Sequence, residues 1–525
     1  MQQHSERSGI GSPHDVGSRS RTAWGSVTAW LIIVVAATVT AVDLIMKGTS
    51  VEADSASYLS MAEGLRHVAF THWSGAPTGL WPYGYPAVLA LAGARAHTMI
   101  QWAPAVHLAV FVGAAAYLVA TARRLAAARP SGAYLVAAAG VLASPALLSA
   151  AQWLLAELLF VFAALVFVYH VVIRGLLSSA APRRLDLVAG AAAAFALPNI
   201  RYVGLAIPVG LAAGVIVLVL IGDPDRRVLA RRAALPIAAG IAGFVVAVVV
   251  NVTTAGTLLG PRVPSSHVFN WVILSSAATF WQTLAGPDHL PLFRYEVAAG
   301  SLVAVVLLVL TVATARVAWR HGGESYRRLT VWTLTVVAAY LGILYWGAFT
   351  TLVDPISPRF ALPVLAIAIM WLVDGYVVAS GVANSKSVLT HTIRAARIAG
   401  WLAVALWLGA FLVAAGSDIG RPHRHGDLAA IRLGNQDRAC LARTQGVPTS
   451  ARISNNAALV WLDSDGRLQA RQASYEVQSP DSFYFIDMRA NAVGDVPAAL
   501  LDGTVSTVVC SGESLVVEQR THPGR

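Results

Sequence analysis

The chain has 525 residues, 56% of them hydrophobic and 12% charged, with a mean hydropathy of +0.63. Soluble domains carry about 25% charged residues, so composition excludes an ordinary soluble protein and points to a multi-pass membrane protein. The net charge of +11 would suggest a nucleic-acid partner in a soluble chain; here the arginines lie in short connections between apolar runs, a topology signal that argues against nucleic acid.

Residues 1–23 are rich in Ser, Gly and Arg and read as a disordered cytoplasmic segment. The first apolar run, 24–46, is long and reads as a retained signal anchor. A polar island follows in the first loop, 47–97. Within it, Asp54-Ser55-Ala56-Ser57 reads as a helix start, and Tyr58, Leu59, Ala62 and Leu65 recur at helical spacing. That predicts a short amphipathic helix on the membrane surface. The Pro/Gly-rich stretch Gly75–Pro86 breaks regular structure, and 87–95 reads as a second short helix.

Further spanning helices are expected at 98–121, 131–148, 150–173, 185–199, 203–221, 234–253, 296–317, 329–350, 360–380 and 398–416. With the N-terminus inside, the connections 122–130, 174–184, 222–233, 316–328 and 381–397 are inner and Arg-dense, whereas the short outer ones are Arg-poor. The expectation is therefore eleven helices over 24–416, N-terminus in and C-terminus out. Residues 417–525 read as a small extracytoplasmic α/β domain, with a helix at 425–443, strands at ARISNN, SFYFIDMR, TVSTVVCSG and SLVVEQR, and a helix at VPAALLDG. Both cysteines, Cys440 and Cys510, fall there. Outside the cell they are either a disulfide or two buried thiols.

Several polar residues stand out on the outer face. Glu52 and Asp54 suit a hard divalent cation such as Mg²⁺, Mn²⁺ or Ca²⁺, or one of them is a general base; Asp54 alternatively only caps its helix. Glu157, near the outer end of the fourth helix, is either functional and paired or an interfacial carboxylate. Arg201 and Arg359 are isolated cations on an Arg-poor face, fit either for bidentate phosphate contact or for an internal ion pair or a lipid headgroup. His267, His289, Arg262 and Arg294 lie in the long connection 254–295 and are weaker candidates. Trp73, Trp81, Tyr83 and Tyr85 are either interfacial belt residues or a sugar-stacking set. Asn251-Val-Thr253 matches a glycosylation sequon, weakly, at a helix end. No Walker loop, dinucleotide fingerprint or Cys/His metal cluster is present in the sequence.

Taken together, these motifs resemble the GT-C superfamily of integral-membrane glycosyltransferases, in particular the branch of protein O-mannosyltransferases and lipid A aminoarabinose transferases. The similarity rests on Glu52-Ala-Asp54 with Tyr58 and Ala62, on Pro82-Tyr-Gly-Tyr-Pro86, on Ser144-Pro145 with Glu157, on Arg201-Tyr202, on Arg359-Phe360-Ala-Leu-Pro363 and on Ile453-Ser-Asn455-Asn456. Two positions depart from the pattern: Ser55 follows Asp54 where many relatives have a second acid, and Phe360 replaces the more usual Tyr. The resemblance implies a polyprenyl-phosphate-linked sugar as donor, an extracytoplasmic acceptor and an active site on the outer side of the cell membrane. It implies Asp54 as base with Glu52 beside it, and Arg201, Arg359 and Lys47 on the phosphate. Tyr58, Tyr83, Tyr85, Glu157 and His267 are expected to line the acceptor and sugar site. A transporter or flippase for a lipid-linked sugar and a non-catalytic envelope scaffold are the competing readings.

Overall fold

The computed structural model describes residues 14–66, 79–260, 272–274, 276–279, 293–350, 358–383, 405, 408–413, 427–428, 433–464, 468–472, 481–489, 496, 498–502 and 504–523. His267, Trp73, Arg262, His289 and most of the expected helix 398–416 lie outside them.

The chain is an α-helical bundle carrying a small mixed sheet near its C-terminal end. Helix α1 (His14–Lys47) begins inside the segment expected to be disordered. It is followed by α2 (Ala53–Arg66), α3 (Gly84–Ala92) and α4 (Ala96–Ala128). Helices α5 (Ala133–Leu142) and α6 (Pro145–Gln152) form one run bent by 43°. The bend has a local cause. Ser144 accepts a hydrogen bond from the Leu147 amide and Pro145 occupies the first helical turn, so Ser-Pro opens a new helix. The expected helix end at 144–148 is thus a start, and the turn between spans falls at 153–156, not near 149.

Helix α7 (Glu157–Phe167) continues as a π-helical segment, Val168–Leu176, whose last carbonyls are met by Arg232. Then come α8 (Arg184–Ile200), a 3₁₀ turn Tyr202–Leu205 running into α9 (Ala206–Leu220), and α10 (Arg226–Ala255). The arginines of 226–232, expected in a loop, form the first turns of α10. Helices α11 (Phe293–His321), α12 (Gly323–Thr350) and α13 (Pro358–Ala383) complete the described bundle. Seven of the described helical runs are long and apolar enough to cross a membrane, or eight counting the bent pair. Their outward residues, such as Leu31, Val112, Ile216, Val249 and Leu334, are exposed aliphatics, as a lipid-facing surface requires.

The two ends of the bundle differ. At one end Arg129 holds Asp374 at 2.6 Å through two bonds and Arg328 holds Asp223 at 2.8 Å. At the other end Ser50 bonds to the tip of α6, the start of α3 meets the tips of α8 and α10, and α2 packs on the C-terminal segment. That segment comprises α14 (Asn435–Ala442), β1 (Arg452–Ser454), α15 (Ala457–Asp463), β2 (Arg471–Gln472), β3 (Ser482–Met488), α16 (Ala498–Leu501), β4 (Val505–Ser511) and β5 (Leu515–Thr521). The strand order is β2-β1-β3-β5-β4; the first three are parallel, and β3-β5-β4 is antiparallel.

Each predicted strand has an observed counterpart, but the expected helix 425–443 is helical only over Asn435–Ala442 among its described residues. Helix α15 was not expected. Asn456 caps it by accepting from the Leu459 amide at 3.0 Å, and its residues Ala457–Trp461 are buried. Cys440 and Cys510 form a disulfide that ties α14 to β4.

Candidate active site

The segment after α1 is fixed by backbone geometry. Gly48 has φ +74° and ends α1 by donating its N–H to the Leu44 carbonyl at 2.9 Å, a conformation that favours glycine. Ser50 and Val51 are clamped on both sides. The Ser50 N–H donates to Gln152 O at 2.8 Å, and the Leu154 N–H donates to Ser50 O at 2.9 Å. On the other side the Val51 N–H donates to the Asp427 carboxylate at 3.0 Å, and the Leu428 N–H donates to Val51 O at 2.8 Å. All four backbone polar groups of Ser50–Val51 are therefore held by distant parts of the chain, as burial of a strand demands. Glu52 follows, donating its N–H to Ser55 Oγ at 2.9 Å and accepting from the Ala56 N–H at 3.0 Å. Asp54 lies in the first turn of α2 and is half-buried, where the helix dipole favours its negative charge.

Helix α2 is not the surface helix expected from its spacing. Residues 55–62 are buried without exception. Its serines, Ser55, Ser57 and Ser60, are spread around the helix, and side chains that small let neighbouring backbones close in on it. Helix α15 of the C-terminal segment packs on one side and α3 on another.

Aromatic residues support α2 from below. Tyr58 stands one turn after Asp54 and meets the ring edges of Tyr85 at 5.1 Å and Trp81 at 6.3 Å. Tyr85 donates its hydroxyl to His107 Nε2 at 2.7 Å, while His107 Nδ1 donates to Ala151 O at 2.9 Å. The carbonyl can only accept, which assigns the proton to Nδ1 and leaves Nε2 as acceptor. Tyr85 is 1% exposed, so it stands behind Tyr58 as a support and not on an open sugar-binding surface. Burial, with Tyr58 and Glu157 nearby, pushes its phenol well above the usual tyrosine range.

Tyr83 precedes α3 and is bonded to Thr254 Oγ1 at 3.1 Å. Its phenol is pushed up by burial against the opposing effect of that bond. Gly84 follows because a Cβ there would come within 2.6 Å of Asn199 O, at the tip of α8. The same loop is anchored at Gly79, whose carbonyl accepts the Tyr202 hydroxyl at 2.6 Å; Asn251 donates to that hydroxyl at 2.6 Å and to Leu258 O at 2.8 Å. Asn251 is fully buried, so the sequon at 251–253 is a structural anchor, closed to glycan attachment.

A charged pair lies at the centre. Glu157 opens α7 and forms a salt bridge with Arg201, which terminates α8 in extended backbone. The Arg201 guanidinium also lies 4.7 Å from the centroid of the Phe360 ring, a cation–π contact that needs no phenolic oxygen. Tyr340 donates its hydroxyl to Phe360 O at 2.9 Å. Tyr58, Tyr340 and Glu157 are all close enough to Arg201 to interact with its charge. Arg359 immediately precedes Phe360 in the first turn of α13; its side chain is outside the described residues. Lys47 pairs with Asp43 at 3.6 Å, one turn back, and Gln152 donates to the same carboxylate at 3.0 Å. This gives Lys47 a structural partner at the end of α1.

The site thus joins Tyr58, Glu157, Arg201 and Phe360, and adds His107 and Tyr340, which the sequence reading missed. Their only signal was a polar side chain within an apolar run. Among the described residues no group of three His, Cys, Asp or Glu side chains could hold a metal. Glu52 and Asp54 alone do not make the multi-oxygen shell that Mg²⁺ or Ca²⁺ takes.

No protein-family model and no curated protein matches the sequence. Solved structures do match its fold. ArnT from Cupriavidus metallidurans in the apo state superposes with a TM-score of 0.53 at 14% identity, covering 94% of this chain and 98% of that one. The two chains share one fold. The same ArnT bound to undecaprenyl phosphate gives 0.50 at 13% identity over 94% and 98% of the two chains. The Archaeoglobus fulgidus oligosaccharyltransferase in complex with Zn and sulfate gives 0.50 at 12% identity, over 84% of this chain and 62% of its own length.

Proposed function

We propose that this protein is a membrane glycosyltransferase that moves a monosaccharide from a polyprenyl-phosphate donor to an acceptor on the extracytoplasmic side. The observation that carries the reading is the Tyr58–Glu157–Arg201–Phe360 cluster, with Asp54 one helical turn before Tyr58, in a bundle with this fold. The undecaprenyl phosphate bound by the similar ArnT supports a donor of that class.

In this reading Asp54 takes the proton of the acceptor hydroxyl as its oxygen attacks the anomeric carbon. The bond from that carbon to the phosphate oxygen breaks, and polyprenyl phosphate leaves with the electron pair. Arg201 and Arg359 balance the developing charge, with Arg201 held in place by Glu157 and by the Phe360 ring. Phosphate is a good leaving group, so orientation and charge dispersal supply most of the acceleration. In this reading the extracytoplasmic domain is 417–525, whose helix α15 packs on the Asp54 helix, and the transferase body is 24–416.

The test incubates purified protein with a panel of polyprenyl-phosphate sugars and measures released polyprenyl phosphate. Asp54→Asn should lose release by at least about a hundredfold while folding normally. Full activity in that variant removes Asp54 as base. Movement of labelled lipid across vesicles without a glycosidic product would instead identify a flippase.

A further inference from the structure

The C-terminal sheet contains a feature that the transfer reaction does not use. Arg452 on β1 pairs in register with Tyr484 on β3, Tyr484 with Gln519 on β5, and Gln519 with Thr507 on β4. Residues directly opposite one another share a face of the sheet, so a guanidinium, a phenol, an amide and a hydroxyl form one row across four strands. The next row on that face, Ser454, Ile486, Val517 and Cys510, is largely buried and mostly apolar. The face therefore changes from packed core to a strip of hydrogen-bonding groups, half-buried at Tyr484 and Gln519 and exposed at Thr507.

Arg452 is the anomaly. It is 6% exposed, and its Nε and Nη1 have no hydrogen-bond acceptor among the described residues. The other described arginines of this segment have acceptors: Arg438 on Asp463, Arg443 on Val509 O, Arg471 on Ser450 O, Arg489 on Ser511 and Arg520 on Glu518. Burial lowers the Arg452 pKa, and no acid among the described residues opposes it. A guanidinium stays protonated in a protein, and a buried, uncompensated charge costs several kcal/mol. Such a group demands an oxyanion, which must displace part of its cover to reach it.

We infer that the Arg452–Tyr484–Gln519–Thr507 strip binds an acidic saccharide, with its carboxylate or phosphate on Arg452 and its hydroxyls along the row. The strip belongs to the unit that packs on the Asp54 helix: β1 runs through Asn455 and Asn456 into α15, which lies against α2. The inference therefore rests on the transferase reading in one respect, that the saccharide is the acceptor or part of it.

The experiment titrates the full-length, detergent-purified protein with D-glucuronate, D-glucose and inorganic phosphate at constant ionic strength and follows thermal unfolding. Glucuronate should raise the midpoint saturably, phosphate more weakly, and glucose not at all. Arg452→Met should weaken the glucuronate response by about tenfold or more. Without ligand it should unfold at or above the wild-type temperature, because the uncompensated cation is gone. Asp54→Asn should keep the full glucuronate response, which separates failure of the strip from failure of the transferase reading. Three results would overturn the site: no saturable glucuronate response, an unchanged response in Arg452→Met, or a large fall in its unliganded midpoint. An equal response to phosphate and glucuronate would overturn the saccharide assignment.

Discussion

Asp427 is the residue whose removal tests the architecture of the candidate site most directly. It lies 376 positions from Val51 yet accepts the Val51 N–H at 3.0 Å. The following Leu428 N–H closes the pair on Val51 O at 2.8 Å. Val51 immediately precedes Glu52, and Asp54 is one step into α2. Asp427→Ala removes one charge-assisted bond and leaves a part-buried N–H without an acceptor, a change of about 1.5–3 kcal/mol in a fully ordered setting. The site is only part-buried and water can replace some of the bond, so about 1–2 kcal/mol is expected at the transition state. That corresponds to a fall of about 5- to 30-fold in kcat. Asp427→Asn keeps an oxygen acceptor in the same place and should retain most of the rate. The assay is release of polyprenyl phosphate under saturating donor, with KM for donor measured in parallel. KM should change little, because Asp427 holds the carboxylate-bearing segment and not the phosphate side. Unchanged kcat in Asp427→Ala, or an equal loss in Asp427→Asn, would refute the clamp as a positioning device.

Three further outcomes are expected. Glu157→Gln should destabilise the protein by about 3 kcal/mol, the low end for a buried pair, because it leaves the half-buried Arg201 without its counter-charge; adding Arg201→Met should recover much of that loss, and strictly additive losses in thermal unfolding would contradict a direct pair. Tyr85→Phe should cost about 1–3 kcal/mol near neutral pH, since His107 Nε2 loses its donor. The Tyr85 phenol is raised in the fold, so its contribution is fully present below the unfolded pKa of 10 and declines above it, as the unfolded chain ionises first. Stability of the wild type should therefore fall above pH 10 more steeply than that of Tyr85→Phe, read from urea unfolding at pH 7 and pH 10.5. Breaking Cys440–Cys510, which are 70 positions apart, should destabilise the C-terminal segment by about 4 kcal/mol in the chain-entropy account. Limited proteolysis of the reduced protein should then cut that segment before the bundle.

The sequence by itself determined the membrane class, the approximate helix positions and the strands of the C-terminal sheet, because apolar length and hydrophobic period are local properties. It also singled out Glu157 and Arg201 through the cost of a charge in an apolar or Arg-poor setting. What it could not determine was contact. That Glu157 and Arg201 are each other's partner depends on two helix termini meeting across 44 positions. Burial of residues 55–62 of α2 depends on α3 and α15 closing over serines that look polar in one dimension. His107 and Tyr340 look like isolated polar residues in spans until Tyr85 and Phe360 O come within bonding distance. The Lys47–Pro86 segment was legible as an exceptional polar stretch, yet its shape is set by Gln152, Leu154, Asp427 and Leu428. Those residues reach Ser50 and Val51 only because buried backbone groups must find partners, and the tertiary fold alone decides which partners are within reach.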